Sequence, residues 1–474
     1  MSKTRRDWTA EWDLGGQWLL RNLRWIDPRG SKDRCELHLI DGRIAAIGDS
    51  LSAPDARTLD LDGLALLPGL FDMHVHFREP GGEDSETIAT GAKAAARGGF
   101  TGVAAMPNTP TRCDQRSVVD LIQARAREAC GTAIHPVAAL TKNLEGQLLT
   151  EMWELKEAGA VAVSDDGFPV DSSEVMRRGM EYARMCGLPV LGHCEDRALK
   201  GKGVMHEGYW STVLGLRGIP RECEEIGVAR DLALAKLSGA QFHVCHVSTK
   251  GGVELVRRAK ERGLSVTAET APHYLTLTDE CLRTYDTSFK MNPPLRTWED
   301  VQALRAAVLD GVIDVIATDH APHAKFLKDA ELDQAPFGVI GLETSLAVCL
   351  KALVHEEGMP MEDLVERMSI APRRLLGLPA GGLEVGALAD FTLVDLDAEW
   401  MVDADRFASL GRNCPFEGWK LRGEVVWTVA SGRSTYAARS LTALGNGVPD
   451  LVALTGSIAA ASGGRKGGRS GGKR

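Results

Sequence analysis

No stretch of the chain approaches the ~18 consecutive apolar residues that a membrane helix needs, and no cysteine pair has Cys-x-x-Cys spacing. The first absence argues against a spanning helix. The ten scattered cysteines read as reduced, mostly buried thiols rather than a disulfide framework. A surplus of basic charge is also missing: the net charge is -10, with both signs interspersed, so nothing recommends a nucleic-acid or anionic-membrane partner. At the start, Met-Ser-Lys-Thr-Arg-Arg leads into a Trp-bearing polar stretch rather than an apolar signal core. These absences together favour small-molecule chemistry in the cytoplasm.

What is present is length and pattern. With 474 residues, 44% of them hydrophobic, the chain can fill one large core and a smaller companion. From residue 66, β-rich runs alternate with helical patterns that end at glycines such as Gly159, Gly187 and Gly239. Strands are expected near 66–76, 101–107, 133–140, 160–165, 188–193, 241–247, 264–270 and 312–319. Eight such strands fit an α/β fold of the (β/α)8 TIM type over 66–382. Runs such as Val312-Ile-Asp-Val-Ile316 are apolar nearly throughout, as parallel strands covered on both faces require. After the first strand, Asp84 or Ser85 offers a helix N-cap, with Ile88, Ala92, Ala95 and Ala96 as the packing stripe. Two further helical patterns fall near 341–355 and 361–376.

Residues 14–65 and 383–437 carry short β-like runs with turn pairs such as Asp41-Gly42. Neither segment could bury its apolar face alone, so the two are expected to combine into one small β-sandwich beside the barrel. Residues 438–474 form an extension whose end, Ser462 to Arg474, has only Gly, Ser, Lys and Arg and is expected to be a disordered, solubilising tail.

Asp72-Met-His74-Val-His76 closes the first barrel strand, and period-two alternation puts both imidazoles on one side, where they can chelate a divalent metal. Such a pair alone is common in protein cores. The other strand ends decide the matter: Asp166 follows strand four, His193 ends strand five, His246 strand six and Asp319 strand eight. Barrel active sites lie on that rim. Alternation marks Cys194, His243 and Cys245 as packing residues; His273, which follows a proline, and His320, beside Asp319, are assigned structural or supporting roles. Between Asp165 and Asp166, periodicity does not choose.

The segments Phe71-Asp-Met-His-Val-His-Phe-Arg-Glu-Pro-Gly81, Ser164-Asp-Asp-Gly167, Gly192-His-Cys-Glu-Asp196, His243-Val-Cys-His-Val-Ser-Thr249, Lys290-Met-Asn-Pro-Pro-Leu-Arg296 and Ala317-Thr-Asp-His-Ala-Pro-His323 closely resemble those of class I dihydroorotases, in the amidohydrolase superfamily. The resemblance runs from about 14 to 437. It implies one zinc on His74, His76 and Asp319, a second on His193 and His246, and Asp166 bridging the two. It also implies substrate contacts at Arg78, Asn108, Asn292 and His323, and through the backbone of Phe337 and Gly338. Departures are Gly192 where threonine is usual, a lysine-bearing segment after His323 where glutamate is common, the longer N-terminus and the basic tail.

The implied chemistry is reversible cyclisation of N-carbamoyl-L-aspartate to L-dihydroorotate, with Asp319 as base and then acid. Arg78 offers a planar fork for the substrate carboxylate, and the two asparagines offer neutral partners for its ureide edge. Residues 324–338, without strong periodicity, suit a lid. A homodimer is expected, and an association with aspartate carbamoyltransferase stays open. Two rivals remain: a hydantoinase or allantoinase, whose fourth strand typically ends around Ser-Phe-Lys where this chain reads Val161-Ala-Val-Ser-Asp-Asp166, and an inactive scaffold, which typically loses ligands that are all present here.

Overall fold

Eight of the apolar runs pair side by side, all parallel and in chain order: β1 (Leu70–Val75), β2 (Phe100–Ala105), β3 (Ala133–Ala139), β4 (Ala162–Ser164), β5 (Val190–Gly192), β6 (Phe242–Val244), β7 (Val266–Thr270) and β8 (Val315–Ile316). The computed structural model describes residues 12–438 except Cys130 and Gly382, so the expected tail from Ser462 lies outside the described residues. The ring closes where Val75 bridges His320 in parallel and His76 N–H donates to His320 O at 2.8 Å. Phe71, Met73, Ala104, Val137, Ala162, Leu191, Cys245 and Val315 fill its interior.

Several strands are shorter than the sequence suggests. The run 312–319 contributes only Val315–Ile316 to the sheet, so Asp319 sits on the connection above it. The run 66–76 is two strands. Ala65–Pro68 pairs antiparallel with Phe391–Met401, and only Leu70–Val75 enters the barrel. Gly69 separates them because a Cβ there would collide with Asp390 and Thr101.

Helix Ile88–Arg97 buries Ile88, Ala92, Ala95 and Ala96, but its cap is Thr87, not Asp84 or Ser85. Thr87 Oγ1 accepts from Thr90 N–H at 3.0 Å, whereas Ser85 Oγ is taken by Ala324 N–H at 3.1 Å, tying it to the loop after His323.

Both chain ends build a second, nine-stranded mixed sheet. Ala65–Pro68 is the seam, parallel to Gln17–Trp25 on one side and antiparallel to Phe391–Met401 on the other. The sheet folds over its own core of Leu20, Leu23, Leu37, Phe391, Leu393 and Trp427, and an antiparallel bridge of Arg43 to Leu388 brings distant parts of it together. All the strand ends that carry candidate ligands therefore point away from the bottom of a packed barrel, toward one rim.

Candidate metal centre

His74, His76, Asp166, His193, His246 and Asp319 are all buried, and the structure brings all six together. Asp166 lies in the middle: its Oδ1 is 3.5 Å from His74 Nε2, 3.5 Å from His193 Nδ1 and 3.4 Å from His246 Nε2, and its Oδ2 is 3.4 Å from His76 Nε2. Asp319 Oδ1 stands 3.0 Å from His76 Nε2 and 3.6 Å from His74 Nε2. His193 Nδ1 and His246 Nε2 face each other at 2.8 Å. Asp165, the alternative to Asp166, is turned away: it accepts from the N–H groups of Leu140 and Thr141 at 2.8 and 2.9 Å and from the Thr141 hydroxyl.

Simple strand alternation does not produce this convergence. Phe71 and Met73 point into the barrel interior, and a register shift between Asp72 and Val75 then resets the phase, so that His74 and His76 reach the centre. Cys245 also points inward, and His246 reaches the same centre only because its φ is +36°. Asp319 at φ +49° and Arg78 at φ +57° share that left-handed backbone. Three non-glycine residues held there around one cleft are the strain expected where packing over-determines a working site.

Cys245 packs in the barrel interior as expected, but the expectation that His243 merely packs needs correction. His243 Nε2 lies 3.2 Å from Glu269 Oε2, and its Nδ1 is 2.8 Å from the Thr267 hydroxyl. Cys245 Sγ clusters with His74 and Glu269. Glu269, to which sequence reasoning gave no role, accepts from His74 Nδ1 at 2.6 Å. The signal was available: it is the one acid in the otherwise uncharged strand Val266–Thr270. His320 closes the barrel and accepts Gly341 N–H at 3.2 Å. His273 packs edge-on against Tyr274.

The donor set fits a divalent metal. With Nδ1–H committed to Glu269, the lone pair of His74 sits on Nε2, a buried atom with no hydrogen-bond partner, aimed at Asp166 and Asp319. His76 repeats the pattern, its Nδ1–H given to Asn108 Oδ1 at 2.8 Å and its Nε2 facing carboxylate oxygens. Lone pairs converging on carboxylates need a cation or protons between them. Where protons fill that place, burial disfavours the His193 imidazolium, but Asp166 and Glu195 outweigh burial and carry it to about 9. Burial likewise opposes charge on Asp166, yet His74, His193 and His246 hold its carboxyl well below the usual range.

Beside this centre opens a cleft of about 160 Å³, lined in part by Arg78, Asn108, Asn292, Phe337 and Gly338. Arg78 Nε donates to Pro322 O at 3.1 Å. His323 Nε2–H donates to Phe337 O at 2.7 Å, and burial, helped by Arg78, pushes its pKa down to about 3, so the ring is neutral. Asn292 Nδ2 donates to Glu195 Oε1 at 2.9 Å, and Glu195 also receives Lys200 Nζ at 2.9 Å. Neither Glu195 nor Lys200 was singled out from sequence, although Glu195 stands two residues after His193. Gly192 leaves room for the buried ring of Phe242, with which a Cβ would collide.

Comparison with known proteins agrees with this geometry. Residues 63–252 match the model described as dihydro-orotase-like. Proteins named dihydroorotase are similar over most of their length: that of Citrifermentans bemidjiense is 49% identical over 89% of this chain and 99% of its own. That of Pelotomaculum thermopropionicum is 50% identical over 88% and 97%. The chain belongs to the dihydroorotase family.

Among solved structures, an L-hydantoinase (dihydropyrimidinase) from Arthrobacter aurescens superposes with a TM-score of 0.80 at 28% identity, covering 89% of this chain and 96% of that one. A dihydropyrimidinase from Brevibacillus agri gives 0.77 at 23% identity over 89% and 95%, a likeness of fold. The dihydroorotase family is a family of metal-dependent cyclic amidohydrolases, and in this member the carboxylate amid the histidines is Asp166, supplied directly after β4.

Proposed function

We propose that this chain is a dihydroorotase, converting N-carbamoyl-L-aspartate and L-dihydroorotate into one another with two zinc ions per subunit. His74, His76 and Asp319 would hold one ion, His193 and His246 the other, and Asp166 both. The observation that carries the substrate assignment is Arg78. A guanidinium fixed through Nε to Pro322 O keeps its remaining donors beside the His and Asp cluster, suited to a substrate bearing a carboxylate on the same ring as its reacting amide.

When bound, the divalent ions acidify water and polarise a carbonyl. Arg78 orients the ring by its carboxylate, Asn108 and Asn292 face its ureide edge, and His323 with the Phe337 and Gly338 main chain supplies the remaining substrate contacts. Asp319 takes a proton from the attacking water as its oxygen bonds to the ring carbonyl carbon. It returns that proton to the ring nitrogen as the carbon–nitrogen bond breaks, leaving the ureido acid with a new carboxyl group that ionises by releasing the water's second proton to solvent. Cyclisation runs the same path backwards.

No helix among the described residues is long and apolar enough to cross a membrane. A cytoplasmic homodimer completes the reading, with association to aspartate carbamoyltransferase as an extension of it. The likeness to hydantoinases supplies the rival substrate class. Purified protein assayed on L-dihydroorotate and on 5-substituted hydantoins, with metal content measured alongside, decides between them. Turnover of dihydroorotate with zinc near two per chain is expected, and preference for the hydantoin overturns the assignment.

A further inference from the structure

Lys290 and Lys328 are 2% and 6% exposed, and among the described residues neither ammonium meets a carboxylate at ion-pair distance. The charged groups nearest in influence are Asp333 and Lys200 for Lys290, and Lys290 and Asp286 for Lys328. Their donors go to main-chain carbonyls instead. Lys290 Nζ donates to Leu332 O at 2.6 Å and Ala335 O at 2.5 Å, with Asp333 O at 3.3 Å. Lys328 Nζ donates to Pro336 O and Gly338 O, both at 3.0 Å, and lies 3.3 Å from Lys290 O. That same Lys290 oxygen accepts Gly338 N–H at 3.0 Å, and the Lys290 ammonium stands 4.7 Å from the centre of the Phe337 ring.

Burying an ammonium among neutral dipoles is costly. Burial pushes Lys290 down to about 8 and Lys328 down to about 7. The stretch they hold belongs to neither sheet and has no ladder to satisfy its carbonyls. Five of its seven carbonyl groups end on these two side chains. The same stretch presents Phe337 and Gly338 to the cleft and anchors His323 through Phe337 O.

We propose that Lys290 and Lys328 are positioning residues that clamp Leu332–Gly338 as a roof already in place before substrate arrives. The segment that sequence suggests as a lid is thus pinned along nearly its whole second half.

Losing a clamp frees the carbonyls to turn to water, so the roofed state is populated only part of the time. Apparent affinity falls by that fraction: a roof present about a tenth of the time raises KM about tenfold, while kcat, measured on the saturated and roofed complex, changes little.

The kinetic arm rests on the dihydroorotase reading; the exchange arm does not. Amide hydrogen exchange on metal-loaded, ligand-free protein is expected to find Ala335 and Gly338 protected, and Lys328→Met or Lys290→Met to abolish that protection. Steady-state assays of Lys328→Met are expected to give KM raised tenfold or more, kcat within threefold and zinc content unchanged. Wild-type exchange that is fast until dihydroorotate is added describes a moving lid and overturns the clamp. So does a Lys328→Met enzyme that melts earlier but keeps its exchange pattern and KM. If both variants fail to fold, exchange of the wild type still decides. A wild type that is protected but does not turn over dihydroorotate removes the assigned activity and leaves the clamp standing.

Discussion

Glu269 holds the Nδ1 of His74 at 2.6 Å from 195 residues further along the chain, and so fixes which nitrogen of that ring faces Asp166 and Asp319. His74 itself is fully buried. A carboxylate in that place sets the tautomer and raises the basicity of the ligand nitrogen. Glu269→Gln keeps the shape and an acceptor oxygen but removes the charge. Metal affinity is expected to fall roughly 10- to 100-fold. Competition with a chelator of known affinity measures it, and a change under threefold would show that the carboxylate is not tuning the ligand.

Asp319 combines two tasks that substitution can separate. Its Oδ1 lies 3.0 Å from His76 Nε2, within reach of the metal position, and its carboxyl lines the cleft. Asp319→Asn retains an oxygen donor and loses the base. Turnover in both directions is expected to drop by about 10²–10⁴, the usual worth of a placed general acid–base group. Near wild-type rates in a variant that still holds its zinc would take Asp319 out of proton transfer.

Arg78→Lys tests recognition. A lysine keeps the charge but cannot hold Pro322 O through one nitrogen while presenting a planar pair to a carboxylate. Loss of one hydrogen bond to a charged group is worth about 1.5–3 kcal/mol, so kcat/KM on dihydroorotate is expected to fall roughly 10- to 150-fold. Zinc content should not move, because the guanidinium contacts none of the six ligands. An equal loss on an uncharged hydantoin would point to damage rather than recognition.

The rim was legible in the sequence because a parallel barrel delivers its strand ends to one side, and six His and Asp residues stood at or just past such ends. The aiming of individual side chains was not. A register shift after Asp72 and positive φ at His246 and Asp319 are backbone events created by packing against other strands, and alternation cannot carry a phase across them. Glu269 escaped notice for a related reason: its partner is fixed by the closed barrel, not by spacing. The strand at 66–76 was read as one although Pro68-Gly69 punctuates it, and it is Asp390 and Thr101, distant in sequence, that crowd Gly69 at the break.

Removing the metal should be felt by the whole barrel. Four imidazoles and two carboxylates from five different strand ends share this centre. An ion that binds the folded chain alone adds about 2.7 kcal/mol at a hundredfold excess over its Kd. Unfolding entropy of about 2.1 cal/mol/K per residue makes that roughly 3 °C in Tm for a chain of this size. Calorimetry of chelated and zinc-restored protein is expected to show at least that shift, reversibly. Identical melting of the two forms would mean that the ligands are held apart by the scaffold at no cost.

Gly192 tests whether the glycine on this strand is fitted to its neighbour. It precedes His193 on β5, and the fully buried Phe242 ring on the neighbouring β6 occupies the space where a side chain at 192 would lie. Gly192→Thr therefore overpacks the wall of the barrel directly beneath a candidate ligand. A cost of about 1–3 kcal/mol in stability is expected, together with weaker zinc binding as His193 is displaced. Phe242→Val alone should cost stability by opening a cavity. The double variant should recover much of both losses, because the added side chain fills the space that the ring vacates. Residues in contact couple, whereas independent ones add. A double-mutant cycle on melting temperature and zinc affinity reads the coupling directly. Simple additivity of the two single losses would show that glycine is present at 192 for some reason other than the neighbouring ring.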